Sequence, residues 1–189
     1  MWRWCIPAIL ALAPSAAGSP TTQRYAVESP SSATAQVAFF GVARRQARFP
    51  SVSGAVTINP ADMARIAIDV TLDAAVLTAS DDLTRDRLRG SAFFDVKRTR
   101  TVRFVGGQMR LTGPASAVVA GTLTARGVSR PVTLDVNFSR PVAQAGAAPE
   151  LRLTGRTRID RSDFGMTSYR LVVGRKVDVA LDITLRPAG

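Results

Sequence analysis

Residues 64–73 read Ala64-Arg65-Ile66-Ala67-Ile68-Asp69-Val70-Thr71-Leu72-Asp73. Ile66, Ile68, Val70 and Leu72 alternate with Arg65, Ala67, Asp69, Thr71 and Asp73, so one face is apolar and the other mostly polar. A period of two is that of a β-strand half buried against a core; a helix would bring apolar residues round every third or fourth position. Outward from this stretch the same alternation recurs. Residues 132–139 set Val132, Leu134, Val136 and Phe138 against Thr133, Asp135, Asn137 and Ser139. Near the C-terminus, Val177, Val179, Leu181, Ile183 and Leu185 interleave with Asp178, Asp182, Thr184 and Arg186. Weaker versions at 35–40, 52–58, 101–105, 117–125 and 151–159 bring the expected total to about eight strands.

Turn signals punctuate these runs: Asn59-Pro60, Gly106-Gly107, Gly113-Pro114, Arg126-Gly127 and Gly174-Arg175. Strands joined by such short links are antiparallel neighbours. One apolar face per strand fits a sheet closed into a barrel, and alternation alone fits a two-sheet sandwich equally well. One stretch breaks the rhythm. Residues 80–90, Ser80-Asp81-Asp82-Leu83-Thr84-Arg85-Asp86-Arg87-Leu88-Arg89-Gly90, open with a capping residue and acids and close with arginine and glycine. That order suits the helix macrodipole and predicts one short helix ended by a left-handed Gly90, with a turn over 91–95 after it. The Ala-, Gly- and Pro-rich segment 141–149 reads as a loop. No internal repeat or second domain is visible, so residues 18–189 are expected to form a single all-β, antiparallel domain.

The N-terminus carries Arg3, the apolar run from Ile6 to Ala13, and small residues through Gly18. A basic start, a short hydrophobic region and a small-residue cleavage site are the parts of a secretory signal. The expected signal spans residues 1–17, with cleavage after Ala17 and the bond after Gly18 as the alternative. The run is shorter than the roughly 20 residues of a spanning helix. Cys5, the only cysteine, lies inside it, so the exported chain is expected to rely on packing rather than disulfides. A periplasmic location is the expectation, with secretion second.

There is no histidine. A Ser-His-Asp triad, a histidine general base and the usual zinc sets are therefore excluded, which points away from an enzyme; no cofactor or metal is expected. The net charge is +11, from 25 Lys+Arg against 14 Asp+Glu, and most of the cations are arginine. Arg44, Arg45 and Arg48 cluster in an expected loop, and Arg85, Arg87 and Arg89 crowd the helix end. An anionic lipid head or membrane surface is a fitting partner for them. Nucleic acid is not, because aromatic residues make up only 6% of the chain and export removes it from the target.

Four stretches, in order, carry a resemblance to a known family. They are Val52-Ser53-Gly54-Ala55-Val56-Thr57-Ile58; Leu88-Arg89-Gly90-Ser91-Ala92-Phe93-Phe94-Asp95-Val96; the run from Gly121-Thr122-Leu123 through Arg126-Gly127 to Pro131-Val132; and Ile159-Asp160-Arg161-Ser162-Asp163-Phe164-Gly165-Met166. The chain resembles the YceI-like polyisoprenoid-binding proteins, exported bacterial proteins with a lipocalin-like barrel. It departs from them at Thr99-Arg100, where relatives often carry Tyr-Pro, and at residues 38–43, which lack a His-Leu-Gly type of segment. The resemblance implies an antiparallel lipocalin-like barrel whose apolar interior takes an isoprenoid chain or another long lipid.

The candidate lipid-contacting residues are drawn from the apolar strand faces and from the quoted motifs. On the strands they are Phe39, Val56, Ile66, Ile68, Val70, Leu72, Phe104, Leu123, Leu134, Val136, Val179 and Leu181. Off them, Phe93 and Phe94 are candidates for a gate or for pins that hold the helix to the barrel, and Phe164 and Met166 for contacts to an irregular chain. Asp160 and Asp163 invite a catalytic reading, but Arg-Ser-Asp followed by glycine is what a self-hydrogen-bonded turn requires. The expected function is a non-enzymatic lipid carrier. The alternatives are an accessory to isoprenoid-quinone redox chemistry and an envelope stress or structural protein with a packed core.

Overall fold

The computed structural model describes residues 22–59, 62, 64–147 and 149–188; the expected export signal and Asn59-Pro60's second residue lie outside these. Among the described residues there are ten strands and one α-helix: β1 (Gln23–Phe39), β2 (Ala43–Phe49), β3 (Val52–Ile58), β4 (Arg65–Asp73), β5 (Thr78–Ala79), α1 (Asp82–Arg89), β6 (Thr101–Gly113), β7 (Ser116–Ala125), β8 (Val128–Phe138), β9 (Leu151–Asp160) and β10 (Val173–Pro187). All pairings are antiparallel. The order β1-β3-β4-β6-β7-β8-β9-β10 closes when β10 pairs back onto β1, giving an eight-stranded barrel. Closure decides between barrel and sandwich, and it leaves a sheet edge only where β2 and β5 extend beyond the eight.

The 17-residue β1 organises the two ends of the barrel. Gln23–Ala26 pairs with β3, whereas Ala33–Phe39 pairs with β2, so β2 replaces β3 as the neighbour of β1 along its length. The switch falls at an irregularity between Glu28 and Ser32, where the Ser31 hydroxyl accepts from the Thr184 backbone N–H (2.9 Å) and Thr184 Oγ1 donates to the Pro30 carbonyl (3.0 Å). The short β5 then adds to β2. Two close approaches require glycine. Gly54, at φ +140°, leaves room for the Asp69 carbonyl, which a Cβ would meet at 2.0 Å. Gly121 lies under the Phe104 ring, 2.5 Å from where a Cβ would be.

Several expectations are corrected. Arg44, Arg45 and Arg48 lie on strand β2 rather than in a loop. Gly106-Gly107 is not a turn: β6 runs through it, with a register shift against β7 between Gly106 and Gln108. Gly174-Arg175 likewise sits inside β10. Arg126-Gly127 does form the β7–β8 turn, with both residues at positive φ (53° and 74°), as a two-residue hairpin loop prefers. The helix is present, capped by Asp81 accepting from the Thr84 N–H (2.7 Å), but Gly90 ends it in an extended conformation (φ −70°, ψ 173°). Segment 141–149 is not featureless: Val142–Ala147 forms a 3-10 turn, and Val142 is fully buried, its N–H donating to the Pro114 carbonyl.

The interior divides into two apolar clusters. One holds Tyr25, Val56, Ile58, Ile66, Ile68, Val70, Met109, Val119, Leu134, Val136, Phe138, Val142, Leu151, Leu153, Ile183 and Leu185. The other, toward α1, is smaller and holds Ala33, Ala47, Phe49, Ala74, Leu77, Val102, Ala125, Phe164 and Met166.

Candidate functional site

Beyond the second cluster, at the end of the barrel covered by α1, lies a cavity of about 500 Å³. That volume is within the roughly 300–1,000 Å³ typical of small-molecule sites. Ala35, Val37 and Phe39 of β1, Ala47 of β2, and Val173 and Val177 of β10 supply the barrel wall. Leu83, Thr84, Arg87 and Leu88 of α1 roof it, and Phe93, Phe94, Met166, Tyr169 and Val172 close the remaining sides.

Local structure explains why these side chains converge. After α1 the chain folds back on itself: Phe93 N–H donates to Gly90, Phe94 N–H to Leu88 and Val96 N–H to Arg89. This knot aims two adjacent rings in different directions. Phe94 meets Phe49 edge-on at 5.5 Å, whereas Phe93 stacks on Tyr169 at 5.9 Å with the planes 5° apart. The second wall segment follows β9. Asp160 caps a 3-10 turn over Arg161–Phe164, accepting from the Ser162 N–H (2.9 Å), and Gly165 ends it in the left-handed region at φ +76°.

Arg161 ties these pieces together. Its guanidinium is buried, lines the cavity and lies 5.7 Å from the Phe93 ring centre. Nε donates to the Gly174 carbonyl (2.9 Å), an Nη to the Val173 carbonyl (3.0 Å) and the other Nη to the Met166 carbonyl. Burial lowers its pKa from the ordinary arginine value, and the neighbouring Asp160 charge opposes that shift. Asp160 itself is committed elsewhere: the Ser162 hydroxyl (2.5 Å), Arg175 (2.9 Å) and Lys176 (3.6 Å) surround its carboxylate. The Ser162 hydrogen bond first, then the backbone and Arg175, hold it well below the usual carboxylate range. Asp160 thus serves as a turn cap and ion-pair partner, and Asp163 is exposed. Among the described residues no group of three or more His, Cys, Asp and Glu is placed to hold a metal ion.

Of the residues proposed from sequence, Phe39, Phe93, Phe94 and Met166 meet at the cavity. Leu72, Leu123 and Leu181 pack beside the second cluster, of which Phe164 is a member, one layer below. Val56, Ile66, Ile68, Val70, Leu134 and Val136 belong to the larger cluster toward the other end, with Phe104 packed against it. Val179 is half-buried, in register with Ala35 and Thr157, and is not on the cavity wall. The sequence reading did not single out Arg161, Leu88, Tyr169 and Val173 for the cavity. Val177 was visible in the alternating run and Leu88 in the helix, but nothing marked Tyr169.

A closed antiparallel barrel with an apolar cavity at one end is the architecture of small ligand-holding barrels. A family model described as the YceI-like domain matches residues 25–185, and the chain belongs to that family. Among curated relatives, a UPF0312 protein of Serratia proteamaculans is 24% identical over 135 residues, 71% of this chain and 70% of its own. A UPF0312 protein of Pseudomonas putida strain GB-1 is 31% identical over 119 residues, 62% of each chain. Among solved structures, BcnA of Burkholderia cenocepacia superposes with a TM-score of 0.72 at 22% identity, covering 82% of this chain and 95% of its own. A polyisoprenoid binding domain from Saccharophagus degradans, implicated in plant cell wall breakdown, superposes at 0.67 and 16% identity, covering 87% and 98%. These two likenesses establish the fold.

Proposed function

We propose that this protein is an exported, non-enzymatic carrier that holds a long apolar lipid of the isoprenoid type, an isoprenoid quinone included, in the cavity under α1. The observation that carries the reading is the cavity itself: about 500 Å³, walled chiefly by aliphatic and aromatic side chains at an end of a closed barrel. The family membership and the polyisoprenoid-binding neighbour support it. Burying a dozen methylene groups at ~0.8 kcal/mol each gives a gross gain of roughly 10 kcal/mol. Association and ordering costs offset much of this, leaving an affinity compatible with release. The ligand lies with its chain against Leu88, Phe94, Val173 and Val177, and a polar head group has Gln36, Gln46 and Thr84 among its neighbours. The protein works from the periplasm, delivered there by the N-terminal signal.

Native mass spectrometry of the exported protein, followed by organic extraction, tests this directly. A stoichiometric isoprenoid that is lost in Val177→Trp, which fills the cavity with an indole, is the expected result. A mass that stays apo after incubation with isoprenoid quinones and polyprenols would overturn it.

A further inference from the structure

The segments that frame the cavity also carry the most exposed large apolar residues among those described. Leu171 is 99% exposed and Val42 92%; Phe40, Leu83 and Tyr169 follow at 63%, 61% and 48%. They are neighbours in space as well as in character. Phe40, Leu83 and Tyr169 line the same cavity. The Phe40 N–H donates to the Val172 carbonyl (2.8 Å), which joins the β1–β2 turn bearing Phe40 and Val42 to the segment bearing Tyr169 and Leu171. Phe40 adopts this position at φ +51°, a left-handed conformation that a bulky side chain rarely takes. A glycine or asparagine would satisfy the turn with less strain; a phenylalanine there puts a ring into solvent.

Charge completes the picture. Arg87 lies 6.0 Å from the Tyr169 ring and Arg170 sits between Tyr169 and Leu171; neither has a carboxylate partner among the described residues. Four acids near the rim are matched in number by four arginines other than Arg87 and Arg170. Asp81 faces Arg45 at 4.0 Å, Asp82 and Asp86 hold Arg85, and Asp178 is shared by Arg44 and Arg158. Exposed aliphatic and aromatic tips next to unpaired arginines are what an interfacial membrane contact requires: apolar groups that enter the acyl boundary and cations that meet anionic head groups.

We propose that the rim formed by Phe40, Val42, Leu83, Tyr169 and Leu171 docks onto an anionic lipid bilayer, with Arg87 and Arg170 contacting its head groups, so that the cavity faces the membrane. This goes beyond the carrier reading and stands apart from it, since a packed barrel with this rim would dock as well.

Flotation with phosphatidylethanolamine–phosphatidylglycerol vesicles, with phosphatidylcholine vesicles for comparison, tests the surface on the exported protein. Wild type is expected to float with the anionic vesicles and to be released by salt. Val42→Ser combined with Leu171→Ser should weaken partitioning roughly tenfold. Arg170→Glu should reduce it about fivefold or more on anionic vesicles and little on neutral ones. Val105→Ser, which trims an exposed side chain on β6, should leave it unchanged, as should emptying or filling the cavity. Val42, Val105, Arg170 and Leu171 are exposed and none of them is at positive φ, so circular dichroism should show each variant folded. Partitioning unaffected by the Val42/Leu171 pair, including binding driven only by residues ahead of Gln23, overturns the proposal. So does sedimentation velocity showing that the pair instead breaks a dimer while wild type ignores vesicles, which would make a second copy of this chain the occupant.

Discussion

The two ends of the barrel are built on different terms. Around Tyr25, Val136, Leu151 and Leu185, side chains are almost wholly withdrawn from solvent and meet in one cluster. At the α1 end, buried Ala47, Phe93, Arg161 and Met166 share the cavity wall with half-buried Val37, Phe39, Leu88, Val173 and Val177, and the tips beyond it expose aliphatic and aromatic surface. Stability and access to a ligand make opposite demands on packing, and the chain meets each at its own end. β1 makes this possible by changing partner from β3 to β2, so the second end is enclosed partly by α1 and by connecting segments rather than by the sheet alone.

The largest expected effects come from shrinking side chains at the packed end. Leu151→Ala should cost about 3 kcal/mol, within the range for a buried leucine whose surroundings cannot collapse. Leu88→Ala, on the half-buried roof of the cavity, should cost about 1 kcal/mol and enlarge the site. Urea unfolding of the two variants, side by side, checks the contrast; equal losses would mean that the α1 end is packed as tightly as the other.

Arg161→Leu should come next, at about 2–3 kcal/mol, because the carbonyls of Met166, Val173 and Gly174 lose their donor together. Hydrogen exchange should locate the loss: amides around 166–175 should speed up, while those of β7 and β8 remain protected. Faster exchange spread evenly over the barrel would show that Arg161 supports the whole fold rather than the cavity wall.

These contrasts match what was and was not legible in the sequence. The strands of the packed end announce themselves: Ile66, Ile68 and Val70 are buried while Arg65, Ala67 and Asp69 are exposed, as the alternation requires. β8 behaves likewise from Leu134 to Phe138. β2 was missed because its first four residues are exposed on both faces, so no alternation can develop there. Gly106-Gly107 looks like a turn and is a bulge, because glycine serves both where the backbone must approach a neighbour and where it must reverse. The cavity wall was harder still. It is assembled from a helix, a knot after it and the 161–173 segment, none of which repeats with the period of an element. Phe93 and Phe94 stood out as adjacent rings, but their separate directions depend on hydrogen bonds to Gly90 and Leu88 that no pattern encodes. The Asp160-Arg161-Ser162 turn was readable as a turn; that Arg161 holds the carbonyls of Met166, Val173 and Gly174 was not.

Acid should weaken the fold through carboxylates at both ends of the barrel. Asp160 has a lowered folded-state pKa, so its contribution is present above the unfolded value, about 3.9, and is lost as pH falls through the folded value. Asp69 and Asp178, held low by Arg103 and Arg158, and Asp81, held low by the Thr84 N–H, act in the same sense. Stability should therefore be nearly flat from about pH 7 to 5 and decline below about pH 4. Asp160→Asn keeps an acceptor for Ser162 but loses the charge facing Arg175 and Lys176, and should make that decline shallower. A decline of unchanged slope in the variant would assign the acid sensitivity to the exposed ion pairs instead.

The smallest effect concerns the exposed rim of the α1 end. Phe40 combines a left-handed backbone with a ring more than half exposed, contacting Phe39 edge-on at 4.7 Å. Relieving the strain gains roughly 1 kcal/mol, and losing the ring pair returns about half of it. Phe40→Asn should thus be more stable than wild type by about 0.5 kcal/mol, a rise of a degree or two in Tm. The same substitution should weaken flotation with anionic vesicles. A residue whose replacement improves the fold while impairing membrane contact is kept for what it touches outside the molecule. If Phe40→Asn lowers stability instead, the ring is part of the packing at this end, and the exposed rim narrows to Val42, Leu83, Tyr169 and Leu171.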